Sequence, residues 1–131
     1  MKKYIFFLFA SLLALLGQRC TADELPQPEG CAPGLATYDT NMKEIIDESC
    51  AYSGCHDGES PGVPGNYTSY EGIRPFLEDG SVRTRVIDLR NDPVLGMPPS
   101  ASVYPQSRME NLSEEEFELM QCWLSSGFPK E

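Results

Sequence analysis

The chain has 131 residues, with 20 Asp and Glu against 10 Lys and Arg, a net charge of −10. Length allows one domain. The acidic balance disfavours nucleic acid and anionic lipid surfaces as partners.

Lys2 and Lys3 precede an uncharged apolar run from Tyr4 to Leu16. It is short for a membrane span and reads as a secretory signal over residues 1–22, cleaved after Ala22. Lipidation of Cys20 is the rival, although Gln18-Arg19 is a poor lead-in to a lipidated cysteine. Cleavage removes Lys2, Lys3 and Arg19. That leaves 7 basic against 20 acidic residues, a net of −13, and four cysteines, Cys31, Cys50, Cys55 and Cys122. Export implies a periplasmic or extracellular location where disulfides persist. It implies a membrane association only if Cys20 carries lipid.

Residues 23–37 contain Pro26, Pro28, Gly30, Pro33 and Gly34 and read as a linker arm. The compact domain spans 38–131. Asp39 or Thr40 is expected to cap a first helix, with Met42, Ile45, Ile46 and Cys50 on one face. Residues 57–66 are punctuated by Gly58, Pro61, Gly62, Pro64 and Gly65 and must be loop. Ser69 should cap a second helix to about Glu78, burying Tyr70, Ile73 and Leu77. Pro75 should kink or break it, and Gly80 should end it. Residues 82–89 fit a helix slightly better than a strand. A turn at Asn91-Asp92-Pro93 and an extended Gly96-Met97-Pro98-Pro99 loop follow. Ser113 and Glu116 form a capping box for the last helix, with Leu112 and Phe117 as a hydrophobic staple. Phe117, Met120, Trp123 and Leu124 line its inner side, Gly127 ends it, and Pro129 prevents continuation. No repeat and no convincing strand pattern is present, so the fold class is mainly α with long Gly/Pro-rich loops.

The chemistry concentrates in Cys50-Ala51-Tyr52-Ser53-Gly54-Cys55-His56, which contains the only histidine. Two cysteines followed directly by histidine suit covalent haem attachment. Each thiol adds across a porphyrin vinyl group and the imidazole binds iron. Common spacing leaves two residues between the cysteines; here there are four. Ser53-Gly54 should let the extra residues bulge outward. A disulfide between Cys50 and Cys55 is the competing reading, with His56 a surface residue. Zinc is a third, and it would require Cys31 and Cys122 to converge on the pair.

A thioether is a good second axial ligand because it is neutral, polarizable and favours reduced iron. Of Met42, Met97, Met109 and Met120, Met97 has the most suitable setting, a loop stiffened by Pro98 and Pro99. Arg83, Arg85 and Tyr104 are candidates for hydrogen bonds to haem propionates, or else a solvated face. Trp123 reads as core. No Ser/His/Asp set, phosphate loop or paired acid and base is apparent.

The order Cys…Cys-His, Met97-Pro98, then a closing helix with Trp123 and Gly127-Phe128-Pro129 resembles a small class I c-type cytochrome. Residues 45–58, with Tyr70-Glu71-Gly72-Ile73, Met97-Pro98-Pro99 and Leu112-Ser113…Trp123-Leu124…Gly127, are similar to cytochrome c domains of Bacteroidota and Planctomycetes. The resemblance runs from about Asp39 to Pro129. It implies haem c bound through Cys50 and Cys55, with His56 and Met97 as iron ligands. It implies an electron carrier rather than an enzyme, meeting redox proteins transiently or serving as accessory to a redox enzyme. If Cys50 and Cys55 hold haem, pairing Cys31 with Cys122 leaves no free thiol. A disulfide-stabilised secreted interaction module without cofactor is the alternative.

Overall fold

The computed structural model describes residues 29–131. The signal at 1–22, its cleavage site and Cys20 lie outside the described residues.

The first helical segment opens with a wide, π-type turn, Tyr38–Met42, that passes directly into Lys43–Ser49; together these are α1. Its cap is Thr37 rather than Asp39 or Thr40, because the Thr37 hydroxyl accepts from Thr40 N–H. The widened turn follows from Met42 N–H reaching back to the Thr37 carbonyl at 3.1 Å. Two N–H groups at this helix start have no intrahelical partner. The C-terminal tail supplies them: Tyr38 N–H donates to Pro129 O (3.0 Å) and Asp39 N–H to Lys130 O (2.9 Å).

Helix α2, Tyr70–Glu78, is capped by the Ser69 hydroxyl as expected. Pro75 does not break it; the helix runs on to Glu78. Gly72 is required by packing, since a Cβ there would collide with the Asn66 carbonyl. Gly80 takes a left-handed φ of 77° and turns the chain into α3, Ser81–Arg83 continuing as a second wide turn, Thr84–Asp88. The helical reading of residues 82–89 therefore holds.

Helix α4, Glu114–Ser125, carries the full capping box between Ser113 and Glu116. Three glutamates in its first turn suit the helix dipole. It ends in a Schellman motif: Phe128 N–H bonds Trp123 O at 2.9 Å across Gly127, whose φ is 82°.

Trp123, fully buried, joins these pieces. Its Nε1 donates to Pro129 O at 2.9 Å, and its ring lies 6.3 Å from that of Tyr38. Tyr38 in turn meets Tyr70 edge-on at 5.2 Å, and the Tyr70 hydroxyl donates to Phe128 O. The core thus ties α1, α2 and α4 to the tail, with Ile46, Ile73, Val82 and Met120 filling its centre. A Cys31–Cys122 disulfide, with Cα atoms 5.3 Å apart, fixes the arm to α4 across a separation of 91 residues. The described residues are mainly helical and contain no strand; Asp57 and Asn66 form an isolated antiparallel bridge. No helix among them is long and apolar enough to cross a membrane.

Candidate functional site

Helix α1 delivers the chain to Cys50, whose N–H still bonds Ile46 O at 2.8 Å. Beyond it the helix stops, and the backbone closes a small ring. Cys55 N–H donates to Tyr52 O, and His56 N–H donates back to Cys50 O, both at 2.9 Å. The closure needs a left-handed residue, and Gly54 provides it with φ 92°. Gly54 N–H is held by the Ser60 hydroxyl at 2.9 Å. Ser53 points outward as expected, whereas Tyr52 is buried at 6 % exposure. The four-residue spacing is therefore not a simple outward bulge.

The His56 ring is fixed on two sides. Nδ1 lies 2.6 Å from Pro64 O. A carbonyl can only accept, so Nδ1 carries the proton and Nε2 keeps its lone pair for a ligand. Tyr67 stacks on the imidazole, 4.1 Å between centroids and 7° from parallel. Tyr67 N–H donates to His56 O at 2.8 Å, which seats that stack. Burial pulls the His56 pKa below its usual value, against the carbonyl of Pro64, which raises it. The neutral imidazole that results is the metal-binding form.

Cys50 and Cys55 are both free thiols. Burial, with the neighbouring Cys55 adding to it, pushes the Cys50 thiol up to about 12. Burial likewise pushes Tyr67 up to about 12, with smaller contributions from Cys50 and Asp79.

Cys50, Cys55 and His56 line one cavity of about 390 Å³. Its walls are apolar and come from every helix: Ile46 from α1, Phe76 from α2, Val86 from α3 and Met120 from α4. Met97, Pro98 and Pro99 complete it. Met97 is half-buried and follows a turn in which Asp92 accepts from Val94 and Leu95 N–H. Met97 N–H is anchored to Arg85 O at 3.0 Å, and the Met97–Pro98 peptide is cis. Of the other methionines, Met120 also lines the cavity but is fully buried in α4, while Met42 and Met109 do not reach it. Arg85 and Tyr104 stand at the cavity; Arg83 does not. Ser49, 3 % exposed, lines the cavity with a buried hydroxyl that has no protein partner.

The zinc reading loses two of its four ligands, because Cys31 and Cys122 are joined to each other. Among the described residues no group of three His, Cys, Asp or Glu side chains is placed to hold a metal ion.

Pro64, Tyr67, Ser49 and Tyr52 were not singled out by sequence reasoning. Pro64 acts through its carbonyl, which leaves no side-chain signature. Tyr67 is one of several aromatics near the motif. Tyr52 lay within the spacing itself, and an aromatic inside an insert was the available signal. No family model, curated protein or solved structure matches the chain.

Proposed function

We propose that this chain is an exported monohaem c-type cytochrome that carries single electrons. One observation carries the reading: two free thiols and a histidine with its Nδ1 committed to a carbonyl line the same apolar cavity. The volume is in the usual range for a small-molecule site, about 300–1,000 Å³. Cys50 and Cys55 would hold haem through thioether bonds, His56 would bind iron through Nε2, and Met97 would bind it through sulfur. Bound there, haem supplies reversible one-electron transfer.

The chain's own groups have definite tasks in this reading. Free thiols at Cys50 and Cys55 are what addition to vinyl groups requires. The Pro64 carbonyl and the Tyr67 ring orient the imidazole before any ligand arrives. The apolar walls exclude water, and the Ser49 hydroxyl offers a hydrogen bond inside them. Arg85 and Tyr104, which line the cavity, would offer hydrogen bonds to the acidic groups of the haem. The Cys31–Cys122 disulfide is compatible with an oxidising compartment. Redox partners would meet the domain in a weak, transient interface. A cofactor-free interaction module would leave an apolar cavity lined by two free thiols without a use.

The test is expression in a host able to attach haem c. The expected product is coloured, keeps its haem on a denaturing gel, and gains the mass of one haem. A colourless product with Cys50 and Cys55 joined by a disulfide rejects the reading.

A further inference from the structure

The two cysteines are supported by different parts of the molecule. Cys50 sits at the end of α1, where its own N–H and that of Ala51 both bond Ile46 O at 2.8 Å. Cys55 lies beyond the helix and needs another anchor. Its N–H is bonded to the carbonyl of Tyr52.

Tyr52 is rooted in a segment distant in sequence. Its ring is buried, and its hydroxyl accepts from Arg108 N–H at 3.0 Å. The Arg108 guanidinium lies over the ring, 4.1 Å from its centroid. Next along, Ser107 is buried, donates through its hydroxyl to Met109 O at 2.7 Å, and bonds Tyr104 O through its N–H at 2.9 Å. Gln106 packs against Gly54 so closely that a Cβ there would lie 3.0 Å from its side chain. Residues 104–109 therefore form a strap across the cysteine ring, and Tyr104 at its near end lines the cavity.

We propose that Tyr52 is the positioning residue for Cys55: it roots the four-residue spacing on the 104–109 strap and holds the second thiol at the cavity wall. The inserted residues then act as a tether that replaces the helical turn a shorter spacing would use. The electrostatics agree with this placement. Burial raises the Tyr52 phenol, and the Arg108 N–H bonded to its oxygen opposes that rise. The inference rests on the haem reading for its purpose, but its geometry concerns the chain alone.

The test uses the full chain with Tyr52→Phe, which keeps the ring and removes the hydroxyl. In the apo protein, the iodoacetamide alkylation rate is measured at each cysteine by peptide mass spectrometry. Cys55 is expected to react about threefold faster or more, with Cys50 unchanged, because reactivity follows access to the sulfur. In a haem-attaching host, the variant is expected to accumulate a species linked through Cys50 alone. Leu77→Val, a core change away from the cavity, serves as the control and should leave both cysteines as in the wild type. Equal acceleration at both cysteines, no acceleration, or complete double attachment in Tyr52→Phe overturns the proposal. A wild-type chain that never takes up haem rejects the haem reading instead, and the alkylation rates still decide the role of Tyr52.

Discussion

The cavity has a cysteine side and a methionine side, and they are held by different means. Residues 50–67 are fixed by close-range backbone bonds: the Cys50–His56 closure, the Tyr67–His56 bond, and the Pro64 carbonyl on the imidazole. Residues 92–104 bond mostly within their own short turns and are tied to α3 by Met97 N–H on Arg85 O and the Arg85 guanidinium on Leu95 O. They also leave Val94, Leu95, Val103 and Tyr104 exposed. The cysteine side is organised before a ligand binds, whereas the methionine side depends on α3 for its position. Buried polar networks that are fully bonded are the rigid parts of a fold, and thinly bonded loops open first.

In the haem reading, the largest effect expected from this difference is at His56 and Met97, the two proposed iron ligands. His56→Ala should abolish stable holoprotein, since it removes the one ligand that is oriented in advance. Met97→Ala should retain haem on a denaturing gel and lose the long-wavelength iron–sulfur absorption band. Met120 also lines the cavity, so Met120→Ala is the necessary companion. It should keep that band; loss of the band in Met120→Ala with its retention in Met97→Ala would reassign the ligand to α4.

Both sides share one frame, and the disulfide belongs to the frame. Replacing Cys31 and Cys122 together with Ser should lower stability by about 2–4 kcal/mol, chiefly through the entropy regained by the unfolded chain. Thermal or urea melts measure it. The loss should leave the absorption spectrum of any holoprotein unchanged, because neither residue lines the cavity. In the wild-type apo chain, alkylation in denaturant without reductant should label Cys50 and Cys55 and spare Cys31 and Cys122. Labelling at Cys31 or Cys122 would overturn the pairing.

A smaller effect separates the two sides. Gly54→Ala forces a side chain into φ 92° and against Gln106 at 3.0 Å. The backbone term alone costs about 1–2 kcal/mol. Hydrogen exchange should quicken across residues 50–56 and remain as in the wild type across 92–104. Equal loss of protection on both sides would mean that the two are one cooperative unit.

The frame was legible in the sequence because its signals are local. Ser113 with Glu116, Ser69, Gly80 and Gly127 each mark a helix end by side-chain or backbone chemistry within a few residues, and each does so in the structure. The start of α1 was misread because its cap is decided at a distance. The tail carbonyls of Pro129 and Lys130 satisfy Tyr38 and Asp39 N–H, so the helix begins earlier and Thr37 caps it. Pro75 was overweighted as a breaker; α2 runs through it to Glu78. At the site, Cys50, Cys55, His56 and Met97 were readable as chemical types. The Pro64 carbonyl and the Tyr52 tether were not, because a carbonyl has no residue signature and Arg108 lies 56 positions from Tyr52.

The smallest predicted effect is a pH dependence that should appear on the cysteine side first. In the folded apo chain, burial holds the His56 pKa below 6.5, so the folded state binds fewer protons than the unfolded state just below that value. Stability then rises with pH across that window: the contribution is complete above about 6.5 and is lost as pH falls toward the folded pKa. His56 is the only histidine, so no other imidazole shares the window. Each side also has a carboxylate held below its usual value of 3.8. Asp57, on the cysteine side, is lowered chiefly by the Ser60 hydroxyl; Asp92, on the methionine side, by Leu95 and then Val94 N–H. Their contributions are present above that value and are lost as pH falls through the depressed pKa, which places them in a separate, more acid step. Urea melts of the apo chain from neutral to acid pH should therefore show two descents. His56→Gln should remove the first and keep the second. A first descent that survives in His56→Gln, or that opens residues 92–104 before 50–67 by hydrogen exchange, would show that the cysteine side is not the part the histidine holds.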